Sequence, residues 1–176
     1  FCYMNADKIK ALIREIPDFP QPGISFKDLT TLWRDPEGLK GTIEAMVLPF
    51  AKEEIGQVVG IESRGFILGA PLALQLGCGF VPVRKPGKLP GTTLRQEYDL
   101  EYGTDAVEIH QDGIAPGERV LIVDDLLATG GTMAAACQLV EKLGGEIVGL
   151  SFLVELAFLN GRERLPDYRI ETVVQY

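Results

Sequence analysis

The chain of 176 residues is 46% hydrophobic and 24% charged, a balance that suits a globular protein with a sizeable core and excludes disorder and fibrous repeats. Seventeen Lys and Arg against twenty-five Asp and Glu leave a net charge of −8, so neither nucleic acid nor an anionic membrane surface is an expected partner. Cys2, Cys78 and Cys137, with His110 as the single histidine, support neither a disulfide framework nor a zinc site, and a reducing cytoplasm is the expected home. Met4 is the first methionine, and residues 1–3 read as an appendage. No basic stretch leads into an apolar one at the start, so secretion is not expected.

Asn5 can cap a helix whose apolar residues Ile9, Leu12, Ile13 and Ile16 recur at helical spacing, with Pro17 as its stop. The turn Asp18-Phe19-Pro20-Gln21-Pro22-Gly23 leads into an extended stretch over 24–29. Asp35 and Pro36 are a cap and first-turn pair for a second helix, buried through Leu39, Ile43, Met46, Val47 and Phe50. Val58-Val59-Gly60-Ile61 is a strand. The apolar run over 65–83 is broken by Pro71, Gln75, Pro82 and several glycines into pieces shorter than the ~18 residues of a membrane span, and reads as a buried helix followed by the strand Phe80-Val81-Pro82-Val83.

Residues 84–110 interrupt this alternation with prolines, glycines and threonines, and connections of such length are often functional lids. Val120-Leu121-Ile122-Val123 is nearly continuous in apolar β-formers, as a parallel strand covered on both faces should be. Met133, Ala136, Cys137, Val140 and Leu143 mark a helix ended by Gly144-Gly145, and a strand over 147–156 follows. Alternating strand and helix predicts an α/β fold: a doubly wound, mainly parallel sheet flanked by helices, in one domain over 1–176.

The stretch Val120-Leu121-Ile122-Val123-Asp124-Asp125-Leu126-Leu127-Ala128-Thr129-Gly130-Gly131-Thr132 carries the chemistry. It sets two carboxylates at the end of a buried strand, then a small-residue loop, then a helix N-terminus. Gly130 and Gly131 let backbone N–H groups converge, Thr129 and Thr132 add hydroxyls, and the helix dipole favours an anion, which together suit a phosphate monoester. A side chain at Gly131 would intrude on that approach and meet an unfavourable φ. Asp124 and Asp125 would repel phosphate but can accept hydrogen bonds from sugar hydroxyls, so the ligand implied is a sugar phosphate. The bland alternative is a capped turn. A P-loop NTPase is excluded because Gly87-Lys88 is followed by Leu89, and no other Lys stands in the required glycine loop.

This stretch resembles the phosphoribosyl pyrophosphate signature of type I phosphoribosyltransferases, in detail that of the adenine-specific branch. The resemblance extends over nearly the whole chain through Phe19-Pro20-Gln21-Pro22-Gly23-Ile24-Ser25-Phe26-Lys27-Asp28, Glu62-Ser63-Arg64-Gly65-Phe66, Arg84-Lys85-Pro86-Gly87-Lys88-Leu89-Pro90 and Leu100-Glu101-Tyr102-Gly103, in the same order. It implies purine salvage: the 5-phosphoribosyl group passes from phosphoribosyl pyrophosphate to adenine, giving AMP and pyrophosphate. It assigns the 5′-phosphate to Ala128, Thr129, Gly130, Gly131 and Thr132, and the ribose hydroxyls to Asp124 and Asp125. Pyrophosphate falls to Ser63, Arg64, Arg84, Lys85 and Lys88, with Glu62-Ser63 a peptide that is often cis.

The same resemblance makes 84–110 a flexible hood over a homodimer's site, with the cations Arg84, Lys85, Lys88 and Arg95 closing on the leaving group. It places the Ser25 and Lys27 main chain on adenine, Phe26 and Leu127 on its two faces, and Glu101 near N7, oriented by Tyr102; Arg64 joins Glu101 and Tyr102 as a catalytic residue. Lys27 departs from the usual arginine. Magnesium is implied through substrate oxygens and water, without direct protein ligands. His110 reads as a surface or hood residue. Two rivals are a transferase for hypoxanthine or xanthine, disfavoured by the Phe26 segment, and a regulator that senses phosphoribosyl pyrophosphate without turnover, disfavoured by Glu101 and the basic hood.

Overall fold

The computed structural model describes residues 4–176; the reading of residues 1–3 as an appendage, and Cys2 with it, lies outside them. Asn5 accepts a hydrogen bond from the Lys8 N–H and caps α1 (Ala6–Leu12). The chain then turns extended as β1 (Arg14–Ile16), which pairs antiparallel with β2 (Phe26–Asp28), so that Ile16 faces Phe26 across the ladder. The helix expected to run to Ile16 therefore stops four residues early. Pairing with β2 supplies backbone partners and sets Arg14 against Asp28 and Glu15 against Lys27, gains that apolar periodicity does not register.

A short α2 (Thr30–Trp33) precedes α3 (Pro36–Val47), whose first turn is capped by Asp35 accepting from the Gly38 N–H, with Pro36 leading the helix as expected. Then come β3 (Gln57–Ile61), α4 (Arg64–Leu76) and β4 (Gly79–Val83). The prolines, glycines and threonines of 84–110 conceal two strands, β5 (Thr93–Asp99) and β6 (Thr104–His110), paired antiparallel from Thr93 opposite His110 to Asp99 opposite Thr104. After them run β7 (Arg119–Leu127), α5 (Gly131–Lys142), β8 (Glu146–Glu155) and β9 (Ile170–Gln175). The sequence reading assigns nothing to β9, a β-branched run that pairs with β8.

The central sheet has the order β4-β3-β7-β8-β9 and is parallel throughout, which bears out the expected α/β architecture. Adjacent residues of each strand divide between its two faces. On one face Val58, Leu121, Val123 and Leu153 pack with Ile9, Ile43, Met46, Leu68 and Leu72 of α1, α3 and α4. On the other, Val59, Ile122, Leu150 and Phe152 pack with Met133, Ala136 and Val140 of α5 and with Val107 and Ile109 of the hairpin. Both faces being covered explains the near-continuous apolar run of β7. The carboxyl ends of β3 and β7 lie side by side, and the segments that leave them build the site.

Candidate active site

The last residues of β7 and the first of α5 form a cradle. Residues 126–133, with Asp124 and Phe152, line a small cavity of about 80 Å³. Gly130 caps α5 at φ +86°, and its carbonyl accepts from the Ala134 N–H at 3.0 Å. A Cβ on Gly130 would stand 2.5 Å from the Gly161 carbonyl oxygen, so glycine is needed here both for its φ and for the close approach. The unfavourable φ expected at Gly131 belongs to Gly130 instead: Gly131 is already the first residue of the helix, and among the described glycines it is not one with positive φ. Its lack of a side chain still matters, since a Cβ would lie 3.2 Å from Arg164 Nη1 and 3.3 Å from the Tyr98 ring.

The acid pair stands within β7 rather than just past its end, the strand continuing through Leu127 to pair with β8. Asp124 Oδ1 accepts from the Asp125 N–H at 2.9 Å. Burial first, and the neighbouring Asp125 carboxylate second, raise the Asp124 carboxyl well above the ordinary carboxylate range. Asp125 is 5% exposed; its Oδ2 lies 2.8 Å from Arg64 Nε, with no hydrogen bond directed at it. A buried acceptor of that kind is suited to a ligand hydroxyl.

Arg64 opens α4, directly after the Glu62-Ser63 peptide, which is cis as the resemblance implies. Gly65 lets this turn come close to β7, because a Cβ there would meet Asp124 Oδ1 at 3.0 Å. The Arg64 guanidinium also stands 5.7 Å from the centroid of the Phe26 ring, and Phe26 meets Phe19 edge to face at 5.2 Å. Phe26, Arg64 and Asp125 are thus brought together from segments far apart in sequence. Leu127 is part of the core beneath the cradle, whereas Phe26 is only half-buried. Ser25 is exposed, and its hydroxyl accepts from Lys27 Nζ at 3.2 Å. The Lys27 ammonium pairs with Glu15 at 2.9 Å and lies 4.2 Å from the Tyr176 ring centroid, so its charge is engaged by neighbours of the β1–β2 hairpin.

The basic segment is less free than its local sequence suggests. Arg84 Nε lies 3.4 Å from Glu62 Oε1, Lys85 is paired with Asp105 and hydrogen-bonded to Tyr98 Oη at 3.0 Å, and Arg95 pairs with Glu97 at 3.2 Å. Lys88 is exposed and has no ion pair among the described residues. Absence of an acid between the cations in the chain did not mean absence of acids in space. His110 Nε2 lies 2.8 Å from the Pro90 carbonyl oxygen, a contact that fits an Nε2–H donor and ties the base of the hairpin.

Glu101 and Tyr102 sit in the turn joining β5 to β6, closed by the Leu100 N–H donating to the Gly103 carbonyl at 2.9 Å. Glu101 lines a cavity of about 510 Å³ with Thr129, Gly131, Thr132 and Arg164, so the hairpin tip overlooks the cradle. Tyr102 is 87% exposed and makes no hydrogen bond to Glu101 among the described residues; the expected orienting contact is not formed in this arrangement. Glu62, which receives the Lys85 N–H at 2.5 Å, and Arg164 are site residues that the sequence reading missed. Glu62 stands inside a quoted motif, but its partners lie more than twenty residues on; Arg164 carries no local signal.

The phosphoribosyl transferase domain family matches residues 42–175. An adenine phosphoribosyltransferase of Synechocystis sp. is 59% identical over 170 residues, covering 96% of this chain and 99% of that protein. The chain belongs to the phosphoribosyltransferase family, in its adenine branch. Among solved phosphoribosyltransferases, the crystal structure of adenine phosphoribosyltransferase from Thermoanaerobacter pseudethanolicus matches with a TM-score of 0.95 at 51% identity, over 98% of this chain and 100% of that one. The Saccharomyces cerevisiae enzyme, complexed with an imino-altritol bisphosphate and adenine, matches with a TM-score of 0.91 at 44% identity, over 96% and 97% of the two chains. The resemblance read from the motifs is borne out across the chain.

Proposed function

We propose that this phosphoribosyltransferase transfers the 5-phosphoribosyl group from phosphoribosyl pyrophosphate to adenine, releasing AMP and pyrophosphate in purine salvage. The observation that carries the reading is the convergence of the cradle, the Asp124–Asp125 pair, Arg64 and Phe26 at the carboxyl ends of β3 and β7. A phosphate monoester suits the N–H groups and hydroxyls of 128–132, and ribose hydroxyls suit the carboxylates beside them. Ser63, Arg64, Arg84, Lys85 and Lys88 then face the leaving group, and 84–110 is its hood. Segment 1–35 contributes the base-binding part: the main chain of Ser25 and Lys27 reads the adenine edge, with the half-buried Phe26 on one ring face, while Leu127, expected on the other, is 1% exposed and supports the cradle from the core.

The bond from the anomeric carbon to the pyrophosphate oxygen breaks with its electron pair leaving on oxygen, through an oxocarbenium-like state, and adenine N9 forms the new bond while its proton passes to the departing diphosphate or to water. Arg64 and the hood cations stabilise the departing charge and exclude water. Closure of the hairpin tip brings Glu101 to N7, where its carboxyl hydrogen-bonds the ring as charge develops. Magnesium, when bound, would be carried on substrate oxygens and water; the buried, unpartnered Asp125 Oδ2 could meet that water, and the ion would supply charge neutralisation at the leaving group. A homodimer in the cytoplasm completes this reading; no helix among the described residues is long and apolar enough to cross a membrane.

The test is product formation with each nucleobase in turn, phosphoribosyl pyrophosphate and magnesium. Adenine presents an acceptor at N1 and a donor at its exocyclic amine, and hypoxanthine reverses both, leaving the site's groups unpaired. AMP should form from adenine, with hypoxanthine and guanine inert; comparable rates with either would overturn the adenine assignment.

A further inference from the structure

The cradle has one feature beyond its backbone donors: a guanidinium stands beside it. Arg164 ends the short helical turn Gly161–Arg164, and its Nη1 lies 3.2 Å from the position a Cβ on Gly131 would take, over the first turn of α5. It lines the same cavity as Thr129, Gly131 and Thr132, and it forms no ion pair among the described residues. Its neighbour in the turn behaves differently. Arg162 is held by Glu155 through two hydrogen bonds of 2.7 and 2.9 Å, and the buried Glu155 also accepts from Thr172 and Gln175.

This turn is anchored at its first two residues. Gly161 is pressed against the Ala128 carbonyl and Leu127, leaving no room for a side chain, and Arg162 ties the turn to the sheet through β8 and β9. One arginine thus fixes the turn while the other is presented, uncommitted, to the cavity. Such prior fixing lowers the entropy lost when a ligand is gripped. A planar guanidinium matches two phosphate oxygens at once.

We propose that Arg164 is the cationic side chain of the phosphate subsite, binding the terminal phosphate monoester of the sugar beside the N–H groups at the start of α5. The proposal rests on the reading of the cradle as a sugar-phosphate site. It also gives Gly131 a reason: the residue is side-chain-free so that the guanidinium can lie over the helix start.

The experiment titrates ribose 5-phosphate into the full chain, and into the Arg164→Gln and Arg164→Lys variants, by calorimetry. Lys52→Gln, on a turn outside the cavity, controls for net charge. A charge-assisted contact of this kind is worth about 10–100-fold, so Arg164→Gln should bind ribose 5-phosphate that much more weakly, with Arg164→Lys recovering part. In turnover the effect should fall on KM for phosphoribosyl pyrophosphate, with KM for adenine unmoved. Unchanged ribose 5-phosphate affinity in Arg164→Gln overturns the proposal, as does a lowered Tm accompanied by equal weakening of both substrates. If the unaltered chain binds ribose 5-phosphate through Arg164 but makes no AMP, the transferase reading fails and the subsite stands.

Discussion

Gly130 is held at φ +86° with the Gly161 carbonyl oxygen 2.5 Å from where a Cβ would stand, so its replacement by alanine meets both backbone strain and a clash. Gly130→Ala should cost about 1–3 kcal/mol from the strained conformation alone and displace the loop that faces the phosphate. Urea unfolding reads the first effect. Titration of phosphoribosyl pyrophosphate into the folded variant reads the second, and near-normal affinity would show that the loop does not hold the phosphate. Glu101 is exposed on the hairpin turn and makes no hydrogen bond among the described residues, so nothing in the fold requires a carboxyl group there. A positioned proton donor contributes ~10²–10⁴-fold, so Glu101→Leu should lower kcat by about that range with the Kd of phosphoribosyl pyrophosphate little moved. Glu101→Gln should lose less, since an amide still donates to N7. Single-turnover kinetics decide: kcat kept within about threefold in Glu101→Leu, with chemistry limiting, would remove the catalytic role.

At the scale of elements, the β1–β2 hairpin decides where the candidate base-binding residues stand. Asp28 closes it by accepting from the Thr30 hydroxyl at 2.7 Å, from Arg14 Nε at 2.9 Å and from the Thr30 N–H at 3.0 Å. The Thr30 hydroxyl first, then Arg14, lower the Asp28 carboxyl from 3.8 to about 2. A depressed folded pKa stabilises the fold fully above the unfolded value of 3.8, and that stability is lost as the pH falls through about 2. Asp28→Asn should therefore cost about 1–2 kcal/mol at neutral pH, with the gap to the unaltered chain closing as the pH descends through that window. Urea unfolding followed from neutral pH downward checks the sign. A gap that widened with acid would mean that Asp28 is not the stabilising carboxylate. The expected helix stops at Leu12 because Ile16, which fits its apolar spacing, is taken instead into the ladder opposite Phe26; only the partner strand, ten or more residues away, decides between the two.

For the molecule as a whole, β7 is the central strand and carries both core and site. Leu121 is fully buried among Val58, Leu153 and residues of α3 and α4. Leu121→Ala should cost about 2–4 kcal/mol by leaving a cavity that close-packed neighbours cannot fill. Denaturant unfolding gives the number, and a loss under about 1 kcal/mol would mean that this face of the sheet is loosely packed. Because Asp124 and Asp125 continue the same strand, a mild loss of core packing there should also weaken sugar-phosphate binding before global unfolding.

The alternation of strand and helix, the strands Val58-Val59-Gly60-Ile61 and Val120-Leu121-Ile122-Val123, and the acid pair with its glycine loop were legible in the sequence alone, because each is a local pattern whose chemistry is carried by consecutive residues. The Asp35 cap was legible for the same reason. What required the tertiary structure was every feature whose partner lies far along the chain. Glu62 meets Arg84 and Lys85, and Asp105 meets Lys85, turning an apparently free basic run into a largely paired one. The β5–β6 hairpin was hidden because β5 is half-exposed and polar and the few buried residues of β6, Val107 and Ile109 among them, make too short an apolar pattern to read alone; pairing with each other and packing on α5 hold the strands. Arg164 reaches the cradle only because Arg162 and Gly161 lock their turn against β8, β9 and the Ala128 carbonyl. Local pattern sets what each segment can become, and long-range contact energy, which no window of sequence contains, selects which groups meet.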